Sequence, residues 1–171
     1  MEGMYLTIRV LHVLMGAVWV GWMLFLVLFL QPAVLDTGPE GAKVMAAVER
    51  RGFVVAIPIV AAVTILSGLW LYWRYTAGFS PEISRSHAGI AFGTGGALAI
   101  IAAIIGGAIV SRVAAKATAL SKDAAALPEG AKRTATLAAA LELRKRLLTL
   151  TKIIAVLLVA TIALMSIAIL I

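Results

Sequence analysis

Hydrophobic and polar positions along this chain separate into long blocks. Residues 10–30, 52–73, 88–111 and 153–171 contain no Asp, Glu, Lys or Arg. Crossing a bilayer as a helix takes roughly 20 apolar residues, so each block is long enough for one span. With their flanks, the predicted spans are about 5–30, 52–75, 87–111 and 150–171. The first block is too long for a signal-peptide core, follows a single basic residue (Arg9), and ends in Gln31-Pro32 instead of a small-residue cleavage pattern. It is read as a true span.

The connecting segments also carry helical signals. Thr37-Gly38-Pro39-Glu40 combines a capping residue, a proline and a first-turn acid. This predicts a second helix that starts near Pro39 and continues through the interface into the membrane. Pro58 is expected to kink it. Ser80-Pro81-Glu82 repeats the signature ahead of the third span. Residues 113–120 and 131–150 are alanine-rich, with Leu137, Leu141 and Leu148 at helical spacing beside Arg144-Lys145-Arg146. They read as extensions of spans three and four, joined by a turn at Leu127-Pro128-Glu129-Gly130. The expected fold is all-α: one domain over residues 1–171, an up-down-up-down four-helix membrane bundle with a cytoplasmic helical hairpin at about 112–149. Gly89 and Gly93, Gly95-Gly96 and Gly106-Gly107 are expected to allow close backbone approach along the third span.

Charge orients the bundle. Twelve basic residues flank the ends of spans one to two and three to four: Lys43, Arg50, Arg51, Arg112, Lys116, Lys122, Lys132, Arg133, Arg144, Lys145, Arg146 and Lys152. Only Arg9, Arg74 and Arg85 lie at the opposite end. By the positive-inside rule both termini are expected outside the cytoplasm. Composition agrees with membrane residence. The chain is 63% hydrophobic and 13% charged, about half the charged share of a soluble domain, which excludes a water-soluble globule. The formal charge of +7 therefore points to a membrane surface and lipid headgroups instead of nucleic acid. The absence of cysteine excludes disulfides, thiolate metal sites, iron-sulfur clusters and c-type haem attachment.

What remains for chemistry is two histidines, His12 and His87, both in odd-numbered spans that run in the same direction. With helix starts near Met4 or Tyr5 and at Ser80, each falls roughly 10 Å along its helix. Helices one and three are diagonal in such a bundle, so the pair predicts bis-histidine ligation of a b-type haem across the core. Gly16, one turn after His12, leaves room for a macrocycle edge. Arg9, Arg74 and Arg85 are candidate propionate partners. The plain alternative is that each histidine serves as a structural hydrogen-bond donor, or that His87 sits among headgroups.

A second reading joins His12 and Met15 with Met1, Met4 and Met165 as soft ligands for a copper ion, in a copper-binding or copper-translocating protein. A third has no cofactor and makes the chain a structural subunit of a larger membrane complex or of a homo-oligomer. Trp70, Tyr72, Trp73 and Tyr75 read as an interfacial belt, and Trp19 and Trp22 as packing residues or a cofactor wall. No span holds a carboxylate, and Gly93-Thr94-Gly95-Gly96 is neither a dinucleotide nor a phosphate loop, since no strand precedes it.

The segment Arg9-Val-Leu-His12-Val-Leu-Met-Gly16-Ala-Val-Trp19-Val-Gly21 resembles the first span of a group of bacterial membrane proteins with the pattern LHxxxGxxWxG. That group comprises the copper-resistance protein D family, the membrane domain of bacterial urate oxidases and the membrane-bound protoporphyrinogen oxidases. Leu66-Ser67-Gly68-Leu69 and the glycine-rich third span extend the likeness. The resemblance implies a helical bundle of the bacterial inner membrane in which His12 binds haem or a metal. It covers about a dozen residues closely, and the run Phe29-Leu30-Gln31-Pro32 departs from the oxidase branch.

Overall fold

A computed structural model describes residues 2–171 and is all-α, with no strand among the described residues. Six helices follow in order: α1 (Glu2–Asp36), α2 (Pro39–Arg50), α3 (Phe53–Tyr75), α4 (Pro81–Ser84), α5 (His87–Ala126) and α6 (Ala131–Ala168). Four of them, α1, α3, α5 and α6, are long and apolar enough to cross a membrane. Large apolar side chains face outward, among them Leu66 and Val156, each about two-thirds exposed. That distribution suits a hydrocarbon solvent, and the chain is a multi-pass membrane protein.

Both α1 and α5 widen for one π-helical turn near the same end of the bundle. In α1 the turn Leu26–Leu30 bonds the Gln31 N–H to the Leu26 carbonyl. Pro32 follows and lacks an N–H, so the wider turn accommodates a position where regular bonding would fail anyway. In α5 the turn Ile105–Val110 contains Gly106-Gly107 and bonds the Ser111 N–H to the Gly106 carbonyl.

Helices start at Pro39 and Pro81 as expected, but two expectations of how far they run are corrected. The helix from Pro39 does not run into the membrane. It ends at Arg50, where Arg51 and Gly52 turn the chain and Gly52 takes a left-handed conformation (φ 85°). A glycine directly after two arginines is a strong helix terminator, since it adopts positive φ freely and the cations favour the helix C-terminus. α3 then starts afresh at Phe53, with Pro58 inside its second turn.

Ser80 likewise opens only the single turn α4. The cap of α5 is Ser86, whose hydroxyl accepts the Gly89 N–H at 3.1 Å. Pro81 starts a helix and a capping serine five residues later restarts it. Gly89 is required there, because a Cβ would strike the carbonyl oxygens of Ile83 and Ser84.

The bundle is built from two antiparallel pairs. α1 packs along α3, and α5 along α6 over nearly their whole lengths. In α6 the residues Ala140, Leu147, Ile154, Thr161 and Ala168 recur every seven positions. All are buried except Leu147, which is half-buried. This is the heptad seam of a coiled coil, and α5 meets it with small residues: Ala91, Gly95, Ala99, Ala102, Ala117 and Ala124, all buried. The seam continues past the apolar spans into the hairpin, where Ala124 and Ala140 are closed off almost completely. Within the membrane Thr161 Oγ1 donates to the Gly95 carbonyl at 3.2 Å.

The pairs meet in a core of Trp19, Met23, Leu26, Ala61, Ala99, Ala102, Ile154 and Leu158. Thr151 Oγ1 reaches Gln31 Oε1 at 3.1 Å and ties α6 to α1 just beyond the π turn.

Close approach at Gly95 generates a prediction. A Cβ there would stand 3.3 Å from Met165 Cγ and 3.4 Å from the Thr161 carbonyl oxygen, whereas one at Gly96 meets nothing within 4 Å. Gly95→Leu is expected to destabilise the bundle by about 1–3 kcal/mol through overpacking, with Gly96→Ala neutral or slightly stabilising. Unfolding of the detergent-solubilised protein by denaturant checks the pair.

Candidate functional site

His12 is held by α3. Its Nδ1 lies 2.9 Å from the Thr64 carbonyl oxygen and 3.3 Å from Ser67 Oγ. A carbonyl only accepts, so Nδ1 carries the proton and donates it, which leaves Nε2 with its lone pair. Thr64 and Ser67 are buried, and their hydroxyls donate to the Val60 and Val63 carbonyls. No hydroxyl proton therefore competes for the imidazole.

The ring lies against Gly68, where a Cβ would come within 2.7 Å of His12 Cε1. The four consecutive residues Leu66-Ser67-Gly68-Leu69 thus explain themselves in part: Ser67 and Gly68 form the seat, while Leu66 and Leu69 are exposed outward. Thr64, Ser67 and Gly68 are the site residues that sequence reasoning missed. Their signal was a pair of hydroxyl residues and a glycine on one face of an otherwise apolar span.

The other motif positions divide by face. Gly16 packs on Thr64, with ordinary room for a methyl group (3.5 Å to Cγ2). Trp19, 3% exposed, fills the core. Trp22 stacks on Phe53 with centroids 5.7 Å apart. Gly21 faces outward with nothing nearby.

His87 occupies a different place. It is the first residue of α5, exposed, and lines an open apolar groove of about 340 Å³ with Ile90, Thr94, Leu164, Ile167 and Ile171, between α5 and α6. The matched depth expected for the two histidines is corrected by the helix starts, since His12 is ten residues into α1 and His87 opens α5. Contacts along α3 give the offset. His12 sits at residues 64–68, whereas Tyr72 Oη donates to the Gly89 carbonyl at 3.2 Å and His87 lies two residues beyond Gly89. At ~1.5 Å per residue His87 is roughly 10 Å nearer the end that carries both termini. The structure does not bring the two rings together.

Arg9, Arg74 and Arg85 are all exposed at that same end, and none is in an ion pair among the described residues. Arg74 shares a shallow pocket with Trp73, Ala77 and Gly78. Tyr5 against Trp70 and Tyr75 against Phe92, with centroids 6.3 and 5.3 Å apart, bind α1 to α3 and α3 to α5 there.

Of the sulfur ligands considered, Met165 is turned into the α5–α6 seam against Gly95, Met4 is exposed, and Met15 is half-buried on α1. Met1 lies outside the described residues. No group of three His, Cys, Asp or Glu side chains suited to a metal occurs among the described residues. No family model, curated protein or solved structure matches the chain.

One ring nitrogen at His12 fits a ligand role. The histidine of a metal site characteristically donates its second ring N–H to a carbonyl or carboxylate, which fixes the tautomer. The seat itself is testable by substitution. Gly68→Ala is expected to push the imidazole off α3 and abolish the hydrogen-bonded Nδ1–H resonance of His12 in a proton NMR spectrum, while Gly16→Ala leaves that resonance in place.

Proposed function

We propose that this chain is a haem-bearing electron-transfer subunit of the bacterial inner membrane, with both termini outside the cytoplasm and His12 as a haem ligand through Nε2. The observation that carries this reading is the Nδ1–H bond from His12 to the Thr64 carbonyl, at 2.9 Å within an apolar span. It commits one nitrogen to the backbone of α3 and leaves the other with its lone pair. A b-type haem would supply one-electron redox chemistry at that nitrogen. The resemblance of residues 9–21 to first spans with a haem- or metal-binding histidine supports the same assignment.

His87 has no part in this reading, because it opens on the α5–α6 groove. Ala99 and Leu158 are buried in the bundle core, so a haem on His12 would have to be held from the α1–α3 side. Arg9 and Arg74 are exposed on these same two helices and would be the partners of its propionates.

A specific contact favours a second reading, in which His12 is an interhelical staple without cofactor. The ring lies against Gly68 and its hydrogen bond joins two helices.

Two variants separate the readings. His12→Ala is expected to remove both the ligand and the staple, whereas His12→Asn keeps an N–H donor for the Thr64 carbonyl and lacks Nε2. On the haem reading, protein from haem-replete cells shows a Soret band that shifts on reduction, and both variants lose it. A colourless wild-type preparation, with His12→Asn as stable as wild type and His12→Ala about 1 kcal/mol less stable, establishes the staple instead. Copper in place of iron in metal analysis would select the copper reading. Reporter fusions at either terminus are expected to be active outside the cytoplasm, and a fusion within residues 127–130 inside it.

A further inference from the structure

The helical hairpin of α5 and α6 stands clear of the apolar spans. Thr151, which bonds Gln31 of α1, marks its base, and the tip turn lies at residues 127–130. From Thr151 back to Ala131 the unbroken helix α6 runs about 30 Å at ~1.5 Å per residue. The seam of Ala117, Ala124 and Ala140 uses up only one face of each helix. What α6 leaves uncovered is an apolar stripe of Leu137 and Leu141, 46% and 51% exposed, continued by the half-buried Leu148.

These three leucines sit at i, i+4 and i+11 on one side of the seam. Arg144 borders them on the side towards α5 and donates to Ser121 Oγ at 3.3 Å. Lys152 borders the outer side and is exposed, as is Lys145, which pairs with Glu142 at 2.7 Å. Across the hairpin the same side of α5 offers only small residues, Thr118 and Ser121, so a shelf exists on which a further helix can lie. α2 does not reach it, since it packs at the base against α1 and α3.

We propose that this lateral face docks an acidic amphipathic helix of another protein chain. The fit is chemical: leucines at helical spacing along about 16 Å, an edge of small residues, and a cationic border. Charge selects the partner. Residues 111–150 hold eight basic side chains against three acidic ones, so a second copy of the hairpin would meet repulsion, and an acidic helix attraction. Bilayer headgroups are a poorer match. Leu141 and Leu137 lie about 15 and 21 Å beyond the base along α6, further than the ~8 Å over which surface charge is felt at physiological salt.

The chain has no cysteine, which permits a single reporter. Thr134→Cys, exposed beside the stripe, is labelled with an environment-sensitive fluorophore in the full-length protein in neutral-lipid nanodiscs. The probes are synthetic amphipathic peptides about 18 residues long: one with leucines on one face and glutamates elsewhere, one with the leucines replaced by serine, and one with lysines for the glutamates. The expected result is a saturable blue shift with the first peptide only. It should weaken at least about tenfold on Leu137→Ser/Leu141→Ser and weaken with salt. Both leucines are surface residues, and an unchanged helical circular dichroism signal will show that the doubly substituted hairpin still folds.

An equal response to the leucine-free peptide would mean a diffuse ionic attraction and overturn the proposal. So would quenching of the label by brominated anionic lipid, which places the face on the membrane, or disulfide crosslinking of the unlabelled Thr134→Cys protein under an added oxidant without peptide, which makes it a homodimer surface.

Discussion

In hydrocarbon a backbone N–H or C=O without a partner costs several kcal/mol, and each irregularity of this chain is shaped by that constraint. Pro32 and Pro58 both withhold a donor. At Pro32 the helix answers by widening, so that Gln31 bonds five residues back to Leu26. The side chain of Gln31 then accepts a hydroxyl proton from Thr151 on α6. Buried hydroxyls elsewhere in the spans behave alike: those of Thr64, Ser67 and Thr161 each return to a carbonyl one turn back on their own helix. Thr161 also reaches the carbonyl of Gly95. These span hydroxyls are satisfied by carbonyls of the bundle itself, and small residues on α5 let the backbone of α6 approach closely.

The small-residue seam of α5 and α6 follows from the same constraint. Lipid offers no hydrophobic drive for helices to associate, so contact area and close approach must supply it. Glycine and alanine on α5 let α6 come near enough for the Thr161 bond, and the heptad of α6 keeps the contact aligned over residues 140–168. Because the seam is periodic and does not depend on lipid, it extends beyond the spans without a break. The hairpin is therefore rigid where it leaves the membrane, and its outward leucines are held at fixed spacing.

Spans, hairpin and turn were legible because each depends on local pattern: charge-free length, alanine-rich periodicity, and a Leu-Pro-Glu-Gly turn. The helices do start at Pro39 and Pro81, but both stop short of the spans for one reason. Proline followed by an acid signals a start but says nothing of how far the helix runs, and that was decided downstream by Gly52 and by Ser86. The consequence reached the candidate site. With Ser86 as cap, His87 moves from the interior of a span to its rim, and a pairing argument based on equal depth no longer applies. The seat of His12 was out of reach for a different reason. Thr64, Ser67 and Gly68 lie more than fifty residues away in sequence, and only the antiparallel register of α1 and α3 makes them neighbours.

That register also explains how one histidine can serve two purposes without conflict. An imidazole has two nitrogens that differ in role once one of them donates a hydrogen bond. Here Nδ1 is committed to the Thr64 carbonyl, which Ser67 Oγ also approaches at 3.0 Å, although that hydroxyl has its shorter bond, 2.6 Å, to the Val63 carbonyl. The bond removes the desolvation penalty of burying an N–H on α1. Nε2 keeps its lone pair, so the contact that joins the helices also leaves one ring nitrogen uncommitted. A lysine or arginine in the same seat would have to bury a charge, and an asparagine would offer the donor without the second nitrogen. Among the side chains that fit against Gly68, histidine alone combines an interhelical donor with an uncharged, directional lone pair.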